Sequence, residues 1–193
     1  MATPRTRRRG TELAEAILRA AATELAETGY PGLTMERVAQ RAGTNKNAIY
    51  RRWPNRAALG VAAYRHLAAD TLDPPDTGSL REDALALLRA INCGQTSPAA
   101  RVLRGLLTGV GDEPQLREQL HRHAVESGTK PWLAIVERAV ARGEASPRAR
   151  RPRVATVALD LLRHEFLTRG LTTVDDAVLV ELVDEVYLPL VGA

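Results

Sequence analysis

Residues 34–53 read TMERVAQRAGTNKNAIYRRW and contain two short helical patterns separated by one glycine. Thr34 and Thr44 each precede one of these patterns, and threonine is a suitable N-cap because its hydroxyl accepts a hydrogen bond from a free amide of the first turn. Gly43 between them permits a tight reversal of the chain. The small side chain of Ala39 lets the two helices approach closely. This stretch therefore predicts a helix-turn-helix.

The second short helix of this motif has one apolar and one polar side. Val38 and Ile49 are predicted to anchor it against the first helix, which leaves its outward face free to enter a DNA major groove. Asparagine can pair with adenine and lysine with guanine at the base edges. The residues expected to contact bases or phosphates are Arg8, Thr34, Thr44, Asn45, Lys46, Asn47, Tyr50, Arg51, Arg52 and Arg56.

In the rest of the chain apolar residues also recur at helical spacing. No segment alternates apolar and polar residues as a half-buried strand would. Aromatic residues make up only 4% of the 193 residues, which favours helices over sheets. The predicted fold is all-α, with an N-terminal three-helix DNA-binding head on a larger helical body. Its parts are a basic flexible arm at 1–10, the helix-turn-helix domain at 11–56, and a helical body at 57–193. Ser79 and Glu82 fit a capping box at the start of a body helix.

The charge distribution supports a polyanionic partner for the head. Residues 1–56 carry 11 basic and 5 acidic side chains, whereas the rest of the chain carries 16 and 18. A small basic region on a slightly acidic body is typical of a protein whose head binds nucleic acid. The arginines at positions 5, 7, 8 and 9 are candidates for phosphate or minor-groove contact, with a solvated tail as the alternative.

Several classes of site are disfavoured by composition. Cys93 is the only cysteine, so the chain cannot form an intramolecular disulfide or a multi-cysteine metal site. His121 and His123 are two residues apart and would point in different directions on a helix. We therefore expect no metal, no cofactor and no catalytic constellation. No apolar run approaches the ~18 residues of a membrane helix, and no signal peptide is recognisable, so we expect a cytoplasmic protein.

The head resembles the DNA-binding region of TetR-type transcriptional regulators over about a third of the chain. The residues that carry the resemblance are Gly29, Tyr30, Thr34, Ala39, Gly43, Tyr50, Trp53 and Arg56. The resemblance implies a homodimer that binds a partly palindromic double-stranded DNA operator, most often as a repressor. It also implies a small-molecule ligand whose binding in the body changes the spacing of the two heads.

The last predicted helix independently favours self-association, because its polar stripe is narrower than that of a normal surface helix. One apolar side would pack on its own subunit and another on a partner, next to the preceding helix. The predicted dimer-interface residues are Val157, Leu161, Leu179, Leu182, Val183 and Val186.

Residues that could line a ligand cavity are less distinctive. Ligand sites are mostly apolar with a few polar groups, and the candidates of this kind are Cys93, Leu103, Leu107, His121, Trp132 and Phe166. The alternative is that each is an ordinary core or surface residue. For the whole chain, the alternative function is a helical small-molecule-binding protein whose basic head contacts other proteins.

Overall fold

The helical patterns of the sequence form helices almost throughout the computed structural model. The model describes residues 10–68, 73–168 and 173–192, and within these ranges no strand is present apart from one isolated bridge between Ala145 and Gly192. This architecture confirms the all-α prediction. In chain order the helices are α1 (Thr11–Gly32), α2 (Met35–Ala42), α3 (Lys46–Tyr50), α4 (Arg56–Leu67), α5 (Leu80–Gly94), α6 (Pro98–Leu107), α7 (Pro114–Arg142), α8 (Pro152–Ala155), α9 (Val157–Thr168), α10 (Asp176–Glu181) and α11 (Leu188–Val191).

Two shorter elements complete this order. A 3₁₀ turn covers Pro147–Arg150, and a π-helical segment at Leu182–Tyr187 joins α10 to α11. Gly128 and Pro131 are residue types that commonly interrupt or bend a helix. The structure has a single helix, α7, with Pro131 inside it.

The chain packs as two compact units, and neither is continuous in sequence. The head unit consists of residues 1–68 and 98–120, and the body unit consists of residues 69–97 and 121–193. The head unit therefore contains α6 and the first turns of α7 in addition to α1–α4. The division at residue 56 into a DNA-binding and a ligand-binding domain stays a functional prediction.

The core of the head unit forms where α1 meets α2, α4 and α6. Its fully buried residues include Ile17 and Leu25 of α1, Ile49 of α3, Leu59 of α4 and Leu106 of α6. Burial of each such side chain stabilises the fold by about 1.5–3 kcal/mol relative to exposure. The apolar stripe that the sequence shows along α1 is thus the central contact surface of this unit.

Two bidentate arginine–carboxylate pairs join distant segments of the body unit. Arg81 of α5 binds Asp184 with N–O distances of 2.7 and 2.8 Å, and Arg89 binds Asp176 with two distances of 2.7 Å. These guanidinium groups lower the pKa of both aspartates by direct hydrogen bonding. The polar stripe of the last helix is therefore partly used within the subunit.

The capping box predicted at Ser79 is wrong. The Ser79 side chain makes no cap hydrogen bond. Instead, the Leu80 amide donates to Glu144 Oε2 at 2.7 Å, and buried Asp83 accepts from the amide and hydroxyl of Thr77. A distant carboxylate thus supplies the cap that the local sequence pattern assigned to serine.

Candidate nucleic-acid interface

The turn between α2 and α3 has the geometry of a helix-turn-helix. Thr34 Oγ1 accepts a hydrogen bond from the Arg37 amide at 3.2 Å, which confirms its predicted cap. Gly43 ends α2 in the left-handed conformation, with φ 66° and ψ 41°. The Thr44 amide then donates to the Ala39 carbonyl at 2.9 Å and closes the turn. A side chain at position 43 would be strained there, which explains the glycine.

The cap of α3 is one residue later than predicted. Asn45 rather than Thr44 is the N-cap, since Asn45 Oδ1 accepts from the Ala48 amide at 3.0 Å. Thr44 is instead half-buried beside the turn. Asparagine caps as effectively as threonine, and the Thr44 amide is already used by the α2 carbonyl. Asn45 keeps its side-chain NH₂ group available as a donor.

The polar residues of α3 point outward together. Asn45, Lys46, Asn47 and Tyr50 are exposed, whereas Ala48 and Ile49 are buried against the head core. This division confirms that Ile49 anchors the helix. It places three potential base-reading side chains on consecutive positions of one exposed turn.

Lys46 has an acidic partner that the sequence analysis did not identify. Its Nζ lies 2.6 Å from Glu36 Oε1 on α2. The hydrogen bond raises the pKa of Lys46 and lowers the pKa of Glu36. Both side chains are more than half exposed, so solvent screens the attraction between them.

The three predicted phosphate-binding arginines have different surroundings. Arg51 and Arg52 are exposed at the end of α3, and Arg52 also donates to the carbonyls of Ala48 at 3.2 Å and Gly10 at 3.3 Å. Arg56 begins α4, where its guanidinium binds Glu113 and covers the ring of Tyr30. The remaining predicted contact, Arg8, lies outside the described residues.

Glu24 is a buried charged residue beside the helix-turn-helix that the sequence analysis did not identify. It lies on α1 with only 2% of its surface exposed. Its carboxylate is 2.7 Å from Arg37 Nε and 2.7 Å from Arg41 Nε, both on α2. Glu24 follows Ile17 by seven residues and Ala20 by four, so it occupies the buried stripe of α1. A charged residue at that spacing was the available signal that it has a partner of opposite charge.

A close contact between α1 and α6 fixes the opposite side of the head unit. A Cβ atom built on Gly105 would lie 2.3 Å from the Leu25 carbonyl oxygen, and one on Gly109 would lie 2.2 Å from the Tyr30 ring. These distances support the expectation that glycine allows close packing here. The helix pair can approach so closely only because both positions lack a side chain.

Comparison with known proteins identifies the family. The family model described as "Bacterial regulatory proteins, tetR family" matches residues 17–63, and the "Tetracyclin repressor-like, C-terminal domain" model matches residues 74–186. The second match alone covers more than half of the chain. The chain belongs to the TetR family. It is therefore a DNA-binding transcriptional regulator with a C-terminal ligand-binding domain, and not an enzyme.

Individual relatives agree with this membership over nearly the full length. A DNA-binding transcriptional repressor TetR of Mycobacteroides abscessus is 33% identical over 184 residues, which cover 95% of this chain and 96% of the relative. An uncharacterized HTH-type transcriptional regulator of Mycobacterium bovis is 35% identical, with 94% and 87% coverage. The crystal structure of TetR family transcription regulator SCO0332 is similar with a TM-score of 0.72 and 29% identity, covering 94% and 100%.

The ligand candidates of this TetR-family chain do not form one group. Leu103 and Leu107 belong to the head unit, where Leu107 is 43% exposed. Cys93 and His121 are exposed residues of the body unit. Trp132 is buried in the body core, and Phe166 packs against that core. Their assignment to a ligand cavity stays a prediction.

Trp132 has a buried neighbour that was not among the candidates. The Trp132 and Tyr187 rings meet edge to face, with centroids 5.3 Å apart. Tyr187 is fully buried, which raises its pKa, and its hydroxyl has no hydrogen-bond partner. A buried hydroxyl without a hydrogen-bond partner destabilises the folded state. The body core therefore contains a polar atom that could still form a hydrogen bond.

The predicted dimer-interface residues divide into two groups. Leu179 and Val183 are fully buried in the core of their own subunit. Val157, Leu161 and Leu182 are partly buried, and Val186 is exposed. The apolar residue Leu190 is also exposed and was not in the predicted set. An interface on this side would therefore use the second group and Leu190.

Two further expectations concern absences. Among the described residues, no group of three histidine, cysteine or acidic side chains is arranged to hold a metal ion. In the same part of the chain, no helix combines the length and the hydropathy needed to cross a membrane.

Proposed function

We propose that this chain is a homodimeric repressor that places the first turn of α3 from each subunit in successive major grooves of a palindromic operator. The observation that carries this proposal is the outward-facing turn with Asn45, Lys46 and Asn47 side by side. Two-fold symmetry of the protein requires half-sites about one helical turn apart. Binding to bacterial DNA would place the protein in the cytoplasm.

Within this interface we assign base reading to the first turn of α3 and phosphate binding to its end. Asn47 and Lys46 are exposed, with Lys46 also bound to Glu36 on α2, and asparagine and lysine match adenine and guanine edges. Tyr50, Arg51 and Arg52 follow on the flank of the same helix, where hydroxyl and guanidinium groups suit phosphate oxygens. Thr34 and Thr44 are assigned to the backbone contacts beside the turn.

This assignment predicts two distinct mutant phenotypes. Asn47→Ala should change the preferred base at one position of the operator, with about 1–3 kcal/mol less discrimination. Arg51→Gln should weaken binding to the operator and to unrelated duplex by similar factors, and reduce the log–log salt slope by about 0.9. The measurement is selection from random duplexes by each purified protein, followed by titrations at several salt concentrations.

Identical behaviour of the two variants would contradict the assignment of roles. If the unsubstituted protein selected no duplex at all, or bound DNA without salt dependence, the proposed operator binding would itself be rejected.

The homodimer is proposed to form through α9 and the C-terminal helical segment. Val157, Leu161 and Leu182 are partly exposed in the single chain, and Val186 and Leu190 are 38% and 51% exposed. Apolar residues that keep part of their surface exposed on α9, the π-helical segment and α11 support burial by a second copy. In a two-fold symmetric contact both subunits bury the same residues, so each of these residues is buried once in each subunit.

Val186→Arg is expected to raise the dimer dissociation constant by at least about tenfold. The substitution places an unpaired guanidinium from each subunit in the proposed contact, and a buried unpaired charge is strongly unfavourable. Ala141→Arg is the matched control, since Ala141 is an exposed residue of α7 outside the proposed contact. Sedimentation velocity across a concentration series measures the dimer dissociation constant of both variants. Equal dimerisation of the two variants would exclude this surface.

Release from the operator is proposed to follow binding of a small molecule in the body unit, as is typical of TetR-family regulators. Such a ligand must prefer one of two body arrangements, and a coupling of about 1–3 kcal/mol changes operator affinity about 5- to 150-fold. Trp132 and the unpaired hydroxyl of Tyr187 are the buried groups of the body that best match a mostly apolar ligand with one polar atom.

A further inference from the structure

The guanidinium group of Arg56 is held from two sides. Its Cζ lies 4.5 Å from the centroid of the Tyr30 ring, and Nη2 donates to Glu113 Oε2 at 3.0 Å. Tyr30 belongs to the end of α1, and Glu113 immediately precedes α7. A cation over an aromatic face and a charge-assisted hydrogen bond both restrict the direction of the side chain.

The residue before Arg56 is held by the same segment. Asn55 Oδ1 caps α4 through the Ala58 amide at 2.8 Å, and its Nδ2 donates to Gln115 Oε1 at 2.8 Å. The N-terminal end of α4 therefore has two separate polar ties to residues 113–115. Neither tie is visible from local sequence, because the partners are 57 and 60 residues away.

The aromatic surface under Arg56 is itself fixed. Tyr30 is 1% exposed, and its amide donates to Thr108 Oγ1 at 3.2 Å. Gly109 packs against its ring so closely that a Cβ there would be 2.2 Å from a ring carbon. The ring cannot shift without displacing the turn that follows α6, so it is a rigid support for the guanidinium.

We propose that Arg56 is a positioning residue for DNA binding, which locks the first turn of α4 onto Tyr30 and Glu113, rather than a phosphate contact. This inference rests on the proposed operator binding. It assigns Glu113, a residue of the segment that follows α6, a direct part in setting the geometry of the DNA-binding head. The sequence-based prediction that Arg56 contacts phosphate is the competing assignment.

Substitution of Glu113 separates the two assignments by the sign of the effect. If Glu113 holds Arg56 in place, Glu113→Ala should lower affinity for the selected operator duplex about three- to tenfold. If Arg56 instead binds phosphate, removing its competitor should raise the affinity. Asp112→Ala is the matched control, because Asp112 is the exposed acidic neighbour and its removal makes the same change in net charge.

Substitution of Arg56 gives a second, independent test. Arg56→Gln should lower operator affinity but leave the log–log salt slope unchanged, since no counterion-releasing contact is lost. Arg51→Gln, a proposed phosphate contact, should reduce the slope by about 0.9. Combining Arg56→Gln with Glu113→Ala should weaken binding little more than either change alone, because both break the same tie. A reduced slope for Arg56→Gln would overturn the inference.

A measurement without DNA keeps the inference testable if operator binding fails. In the free full-length protein, hydrogen exchange of the first-turn amides of α4, including Ala58, should be several-fold faster in Glu113→Ala and Arg56→Gln than in Asp112→Ala. Circular dichroism verifies that each variant remains folded. Unchanged protection in both variants would show that Arg56 does not hold α4, whatever the DNA result.

Discussion

Gly105→Ala is expected to lower the free energy of unfolding of the head unit by about 2–4 kcal/mol. The added methyl group would lie 2.3 Å from the Leu25 carbonyl oxygen and 3.1 Å from the carbonyl carbon. These are backbone atoms of α1, so relief requires the two helices to separate. Overpacking of a dense core costs about 1–3 kcal/mol even where side chains can adjust.

The direction of this effect is informative because helix propensity alone predicts the opposite. Alanine is favoured over glycine by about 1 kcal/mol inside a helix. The matched control is Gly111→Ala, since a Cβ at Gly111 has no neighbour within 4 Å. Urea denaturation of both variants gives the comparison. Greater stability for Gly105→Ala than for the parent chain would contradict the close α1–α6 contact.

Glu24→Ala is expected to lower the free energy of unfolding by about 2–3 kcal/mol and to weaken operator binding. The substitution removes the buried carboxylate that accepts a hydrogen bond from Arg41 Nε and forms an ion pair with Arg37 Nε, each at 2.7 Å. A hydrogen bond to a charged group contributes about 1.5–3 kcal/mol. Because both arginines are partly exposed, water recovers part of that loss. The tie between α1 and α2 is nevertheless lost, and α2 supports α3.

The control for this prediction is Glu27→Ala. Glu27 also binds Arg41, at 2.6 Å, but its side chain is about half exposed. Exposed pairs of this kind contribute about 0.2–1 kcal/mol. Thermal unfolding of both variants should therefore show a clear difference. If Glu27→Ala were as destabilising as Glu24→Ala, burial would not be the reason for the importance of Glu24.

Features of the head that depend on neighbouring residues were predictable from sequence. The Thr34 cap, the turn at Gly43 and the Asn55 cap each require only a side chain or conformation that acts within about four residues. The apolar stripe of α1 likewise follows from residue spacing alone. The cap at Asn45 was misplaced by one residue, because two adjacent residues were both competent caps.

Features that depend on distant residues were not predictable. Glu24 meets Arg37 and Arg41 on another helix, and Arg56 meets Glu113, which lies 57 positions later in the chain. A single sequence shows that such charges exist but not which of them meet. The same limit explains why Leu179 and Val183 were predicted at the dimer interface although they are buried in their own subunit. Their apolar character fits either location.

Two residues that commonly interrupt helices do not end α7. Gly128 and Pro131 lie within three residues of each other, yet the helix continues from Pro114 to Arg142. A proline removes one backbone donor and disturbs the preceding turn, but Trp132, Ile135 and Val136 bury their side chains in the body core directly after it. The burial of these residues outweighs the unfavourable local preference.

The discontinuous head unit sets a rule for dissecting this protein. A fragment ending at residue 68 would retain the helix-turn-helix but lose α6, and with it the cover of Leu25 and Tyr30. A miniature DNA reader derived from this chain needs residues 98–120 grafted back through an artificial linker. We expect truncation at residue 68 to expose apolar residues of α1 that α6 covers and so to destabilise the remaining helices.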